Sequence, residues 1–218
     1  MEIKQMNKFS KMSCLMVLLL LAGCSTAYYG AMEKIGIHKR EILVDRVEDA
    51  KESQQEAQKQ FTSALEQLTS LTKFDGGKLA TAYEGTKDAY DESEAAAQEV
   101  SERIDDIEDV AEALFQEWEG ELEQYTSTKL KADSRQKLRQ TQSEYKQLIT
   151  SMERAESKMT PVLNTLRDNM LYLKHNLNAQ AVAGLQGEFG KLKVDINDLL
   201  QEMNVAIAQS DQFIAKLK

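Results

Sequence analysis

Residues 101–125 read SERIDDIEDVAEALFQEWEGELEQY, and their spacing decides the fold. Ile104, Ile107, Ala111, Leu114 and Trp118 recur at alternating steps of three and four, which places them on one stripe of a helix, while nearly every residue between them is Asp, Glu or Gln. A stripe that narrow is buried only against other helices, so the segment predicts a bundle. The same phase runs back through Val100, Ala97, Ser93, Tyr90, Thr86 and Tyr83 to Leu79, and Leu122 and Tyr125 continue it with a skip. At about 1.5 Å per residue this helix is roughly 70 Å long. Thr86, Ser93 and Ala97 make its first part small and polar along the seam, so most of the apolar burial, and with it the stability, is expected toward Val100 and beyond.

Three further seams flank it. Leu43, Val47, Ala50, Gln54, Ala57, Phe61, Ala64, Leu68 and Leu71 follow the four-three alternation of heptad a and d positions. That helix is expected to reverse at Phe74-Asp75-Gly76-Gly77, where paired glycines permit left-handed backbone. After Thr126-Ser127-Thr128, Asp133 with Gln136 fits a capping box, and a third seam runs from Leu138 through Leu148, Met152, Met159 and Leu166 to Leu173. Pro161 lies inside this seam without resetting its phase, which predicts one kinked, continuous helix rather than two. After a reversal at Asn176 to Ala179, a fourth seam runs from Val182 to Leu217. Gly184, Gly187 and Gly190 weaken its start: either that turn frays or the glycines admit a close neighbour. The expected fold is all-α, an elongated antiparallel bundle of about four long helices with coiled-coil packing, left-handed in supercoil because the repeat is seven residues.

The start of the chain is of another kind. Lys4, Lys8 and Lys11 precede an apolar run, Cys14 to Ala22, that is too short for a permanent membrane span, as in an export signal. The run ends in Leu21-Ala22-Gly23-Cys24, which resembles the lipobox of bacterial lipoproteins, so residues 1–23 are expected to be removed and Cys24 to be the lipid attachment site. Ser25, in place of Asp, favours the outer membrane by resemblance to enterobacterial sorting. Residues 24–38 are then expected to be a lipidated tether, with Tyr28 and Tyr29 within a linker, and residues 39–218 the bundle. Cys14 leaves with the signal and Cys24 carries lipid, so no disulfide is expected.

The formal charge is −9, and removing Lys4, Lys8 and Lys11 together with Glu2 leaves −11. Such a chain is repelled by phosphate backbones and anionic headgroups, so no nucleic-acid partner is expected and the acyl chains are expected to hold the membrane. Charge is also unevenly placed. Glu84 through Glu123 holds sixteen acids against Lys87 and Arg103, and Lys129 through Lys158 holds eight bases against four acids, which predicts that these two helices are neighbours.

No catalytic, cofactor or metal site is expected. Asp105, Asp106, Glu108, Asp109 and Glu112 read as a solvated acidic face, because no EF-hand spacing accompanies them. His38 and His175, the only histidines, lack the partners of a transition-metal site. Gly76-Gly77-Lys78-Leu79 is no phosphate loop: there is no glycine five before Gly77, no Ser or Thr after Lys78, and a helix precedes it rather than a strand. Trp118 and the tyrosines are expected in the core. Lys174-His175-Asn176-Leu177-Asn178 reads as a capping turn or a contact point for a partner, and Asn169 as a register-setting polar residue on the seam.

The stretches YYGAMEKIGIHKREILVDRVEDAKESQQEAQKQF, FDGGKL, VSERIDDIEDVAEALFQEWEGEL, RAESKMTPVL and LKHNLNAQAVAGLQGE resemble an uncharacterised family of Gram-negative helical lipoproteins, a domain-of-unknown-function family, over essentially the whole mature chain. The resemblance implies a helical envelope lipoprotein and supplies no activity. The expected function is therefore non-catalytic: a lipid-anchored scaffold, spacer or adaptor at the outer membrane, its protein partner unspecified. The alternative is a periplasmic bundle that opens to bind lipid or another amphiphile.

Overall fold

The computed structural model describes residues 24–34, 36–72, 79–176 and 179–218. They form α1 (Cys24–Lys34), α2 (Lys39–Thr72), α3 (Leu79–Leu122), α4 (Thr128–His175), the short α5 (Ala179–Gly184) and α6 (Gln186–Leu217). The four long helices make a ring in which α2 packs on α3, α3 on α4, α4 on α6 and α6 on α2. Cross-helix pairs give the direction of each contact. Lys39 pairs with Glu117 and Arg46 with Asp106 between α2 and α3. Ser101 bonds Glu156, and Trp118 bonds Ser134, between α3 and α4. Lys158 pairs with Glu202, and Lys216 with Glu144, across α4 and α6, while Gln58 bonds Asn204, and Lys51 Asp211, across α2 and α6. In every set one number rises as the other falls, so all four contacts are antiparallel and the bundle runs up, down, up, down. The acidic and basic helices are neighbours, as their charge predicts.

The near end of the bundle holds the start of α2, the α3–α4 connection and the C-terminus of α6. The far end holds the end of α2, the start of α3, the end of α4 and α5; Gly76, Gly77 and Asn178, where reversals are expected, lie outside the described residues. Seam positions from all four helices are buried, and the large buried side chains are not concentrated from Val100 onward, where the α3 sequence alone places the apolar burial. Of the largest fully buried side chains, Phe61, Leu71, Leu166, Leu173, Leu192 and Ile196 all belong to the far half. Large residues from three helices fill the space that Thr86, Ser93 and Ala97 leave on the fourth, which is how a close-packed interior keeps its density. Of the polar side chains buried along the seam, two have amide atoms with no partner among the described residues: both atoms of the fully buried Gln54, and the nitrogen of Asn169.

Four local features depart from or sharpen the expectations. The cap of α4 is Ser127, whose hydroxyl accepts the Leu130 N–H, and not the Asp133/Gln136 box; both of those residues are exposed within the helix. Pro161 sits inside the continuous α4 on its exposed side, where the carbonyl left without an N–H donor is open to solvent. The fourth helix breaks at Leu185 into α5 and α6. A Cβ added at Gly187 or Gly190 meets nothing within 4 Å, so these glycines loosen the turn and do not admit a neighbour. Residues 24–38, expected as a linker, contain α1. That helix ends at Gly36 (φ +87°), where Ile37 N–H bonds Met32 C=O and Gly36 N–H bonds Glu33 C=O, the paired bonds of a Schellman reversal.

α1 therefore folds back along the bundle. Tyr29 is buried, stacks edge-on with Tyr28 at 5.4 Å, and has Asp109, Arg46 and Asp106 as charged neighbours, which places it in the groove between α2 and α3. This accounts for Ile42, which is only 5% exposed although its heptad position points outward.

Candidate functional site

The helices do not end level. Lys39 reaches Glu117 (3.2 Å), the Arg40 guanidinium donates to the Leu217 carbonyl, and Lys216 reaches Glu144 (3.0 Å). α2 and α6 thus stop beside Glu117 of α3 and Glu144 of α4, whereas α4 begins at Thr128. The last turn of α3 extends about 8 Å, and the first three or four turns of α4 about 20 Å, past their neighbours and leave a stretch of seam uncovered.

Sequence at this overhang is suited to partial exposure. Leu122 and Leu138 are buried against the hairpin itself, but the seam positions one heptad step away are Lys131 and Ser134, and Arg40 occupies the step before Leu43. Trp118 is half-buried, its indole N–H donating to Ser134 Oγ at 2.9 Å. It is a wall of the site and not part of the core expected for it. Tyr125, expected to continue the helix, lies beyond its end at Leu122 and is 41% exposed; Leu130 is 56% exposed.

Two adjoining clefts open here. One of about 520 Å³ lies between Leu114, Trp118, Lys137, Thr141 and Leu217; the other, of about 660 Å³, lies between Trp118, Tyr125, Leu130 and Lys137. Arg40 lines both. It also lines a third, of about 540 Å³, beside His38 and Leu217. Sequence reasoning did not single out Arg40, Leu130, Ser134 or Lys137. The signal that reveals them is polar residues at seam positions, which mark where a seam stops being covered.

Ion pairs organise the rim. Lys39 sits between Glu33 of α1 and Glu117 of α3. Burial works against its ammonium, but the two carboxylates outweigh it and hold its pKa up. Glu33 is held below the usual carboxylate range by its hydrogen bond to Lys39, while burial and the nearby Glu33 push Glu117 up. Glu144 loses solvent, yet Lys216 and Gln140 keep it low. Along the α3–α4 boundary Tyr145, edge-on to Phe115 at 5.4 Å, is pushed up to about 12 by burial and by Glu108, Glu153 and Glu112. The clefts thus combine apolar walls of Leu114, Trp118 and Leu217 with the cations Arg40 and Lys137.

A family model for proteins of unknown function matches residues 28–217. The chain belongs to the DUF2959 family. The DUF2959 match runs from Tyr28, within α1, to Leu217 at the end of α6, so the overhang lies within the family's own span. No curated protein and no solved structure matches the chain.

The remaining expected sites fall elsewhere. Cys24 opens α1. Asn176 caps α4, its N–H bonding Leu173 C=O and its side chain bonding Tyr172 C=O at 3.0 Å, as the capping reading requires. Among the described residues no three His, Cys, Asp or Glu side chains come together as metal ligands, and no helix is long and apolar enough to cross a membrane.

Proposed function

We propose that this DUF2959 chain is a non-catalytic, lipid-anchored envelope protein, a helical scaffold or adaptor attached to the outer membrane through acylated Cys24 and holding a partner at the near end of its bundle. The observation that carries this reading is the contrast between a seam closed along most of four long helices and the uncovered hairpin around Trp118, where clefts, cations and exposed apolar side chains occur together. The Leu21-Ala22-Gly23-Cys24 motif supports the anchor. A second reading, binding of lipid or another amphiphile, draws on the same cleft, whose apolar wall of Leu114, Trp118 and Leu217 has Arg40 and Lys137 at its rim.

Fractionation of a Cys24→Ser variant tests the anchor: release to the soluble fraction is expected, and unchanged membrane association overturns it. Photocrosslinking in intact cells from Thr126 at the near end and Gln180 at the far end tests the scaffold. A discrete protein captured only from Thr126 supports it. Absence of any protein, together with lipid that co-purifies with the Cys24→Ser variant, replaces it with the amphiphile reading.

A further inference from the structure

α3 and α4 lie side by side with opposite charge, yet their charges do not meet within the chain. Among the described residues the ion pairs between them are confined to Glu123 with Lys131 and Arg135 at the turn. The α4 residues that border α3 are themselves acidic: Glu156 accepts from Ser101, and burial pushes the Glu108 carboxyl up, with Glu153 and Glu156 pushing it further. The bases of α4 point outward instead. Arg139, Lys146 and Arg154 are exposed at intervals of about two turns, with Ser143 and Thr150 between them. Arg139 and Lys146 have no carboxylate within 4 Å among the described residues, and Arg154 has Glu202 at 3.9 Å. Lys146 and Arg154 also line a groove of about 430 Å³ against Val205 and Gln209 of α6, and no carboxylate lines it. On α3, Glu102, Asp105, Asp109 and Glu112 recur at steps of three and four on the exposed side, and none of the four has a base within 4 Å among the described residues. The cross-helix bonds Ser101–Glu156 and Glu119–Gln142 show which residues stand at one height. Arg154 is level with Glu102 and Asp105, Lys146 with Asp109 and Glu112, and Arg139 with Glu119.

We infer that the outer face of α4 docks on the outer face of α3 of a second copy of this chain, side by side, the same way up and without axial shift, so that Arg154, Lys146 and Arg139 meet the carboxylates at their own heights. On a chain of net charge −9 most faces repel another copy. α4, the one long helix with more bases than acids, supplies the face that attracts it. The contact is heterologous, so each copy keeps one open face and a row can extend. It covers about 26 Å of helix, is polar and lies at the low end of interface size, so it forms where copies are concentrated on one surface. The shared height and orientation rest on the anchored reading above, and the Trp118 clefts stay free for the partner proposed there.

Cysteines at uncharged positions report this contact without altering its charges. Gln116 of α3 and Ser143 of α4 are exposed and level with each other. Full-length chains carrying Gln116→Cys and Ser143→Cys are co-expressed and treated in intact cells with a short bismaleimide, and covalent dimer is measured on denaturing gels. Dimer is expected from that pair, and not from either chain alone or from Gln116→Cys with Gln201→Cys, whose site is exposed on α6. Lys146→Glu with Arg154→Glu in the Ser143→Cys chain should lower the dimer by about tenfold, because exposed pairs turn from weak attraction to weak repulsion. Asp105→Lys with Asp109→Lys in the Gln116→Cys chain should then restore it. Equal dimer from the Gln201→Cys pair, dimer indifferent to the α4 reversal, or no restoration by the α3 reversal in chains of unchanged thermal midpoint overturns the inference. Adding Cys24→Ser to both chains separates this from the anchor. Dimer formed equally with and without Cys24 upholds the contact and speaks against the anchor as what levels the copies, whereas no dimer from chains that fractionate with the membrane overturns the contact itself.

Discussion

The two halves of the bundle are built from the same heptad pattern and reach different results. In the far half, small residues of α3 face Phe61, Leu71, Leu166, Leu192 and Ile196, and the seam is filled. In the near half the seam borders the half-buried Tyr145 and Trp118 and finally runs out past the ends of α2 and α6; the unpartnered buried amides do not separate the halves, since Gln54 lies at the middle of α2 and Asn169 in the far half. One seam serves both purposes, because where four helices are present it makes a core and where two remain it makes a surface. Stability and recognition are thereby assigned to opposite ends without any change of secondary structure.

Truncation of core residues draws this contrast most sharply. Leu166→Ala, in the filled half, should cost about 3–5 kcal/mol, because the surrounding side chains leave a cavity that cannot collapse fully. Leu114→Ala, which borders the open cleft, should cost nearer 2 kcal/mol, since solvent can enter. Urea unfolding of the two variants measures both, and equal losses would erase the distinction.

Alkaline pH acts on the near half most strongly through Tyr145. Its folded pKa is raised from 10 to about 12, so the associated stability is fully present below pH 10 and is lost as pH rises from 10 to 12. After a discount for partial exposure the loss is about 1–2 kcal/mol. Tyr145→Phe lacks a proton to lose, and its unfolding free energy should fall less than that of the parent over this interval.

Gln54→Met replaces two unpartnered, fully buried amide atoms with an apolar side chain of similar volume. A gain of about 1–2 kcal/mol is expected, visible as a higher urea midpoint at unchanged slope. A loss would mean that the Gln54 amide is satisfied in solution, for example by an internal water, and that the middle of the seam is better satisfied than its geometry implies.

Much of this was legible in the sequence. Seam positions such as Leu43, Ile107, Leu148 and Ile196 carry a period that only a buried helix face explains, and the excess of acids on α3 and of bases on α4 points to neighbours, although among the described residues the ion pairs between the two arms are confined to Glu123 with Lys131 and Arg135 at the turn. Asn169 and Asn176 were read from seam position and turn chemistry alone. The distribution of stability was not legible, because it depends on what three other helices place opposite Ser93. Nor was the overhang, since it arises from the unequal ends of four segments, and the heptad stripe through Trp118 does not reveal where its partners stop. The cap of α4 was misplaced because two capping patterns compete there, and Ser127 starts the helix before Asp133 is reached. α1 was taken for a linker because its glycines and tyrosines show no heptad; its partner is the α2–α3 groove, formed far away in the chain.

The smallest effects separate the two ends by backbone alone. Gly36 at the near end and Gly187 and Gly190 at the far end share one property, that a Cβ added to any of them meets nothing within 4 Å. Space therefore does not distinguish them. Conformation does, because Gly36 has φ +87° at the reversal that returns α1 to the bundle, where an L side chain costs about 1 kcal/mol or more, whereas Gly187 and Gly190 lie in ordinary helix, where alanine is better by roughly 0.5–1 kcal/mol at each site. Gly36→Ala should lower the thermal midpoint, and Gly187→Ala with Gly190→Ala should raise it by a comparable amount. If Gly36→Ala is neutral, the α1 reversal does not depend on left-handed backbone and the docking of Tyr29 holds it by itself. If the α6 pair destabilises, the freedom of Gly187 and Gly190 is itself part of how the helix starts after Leu185.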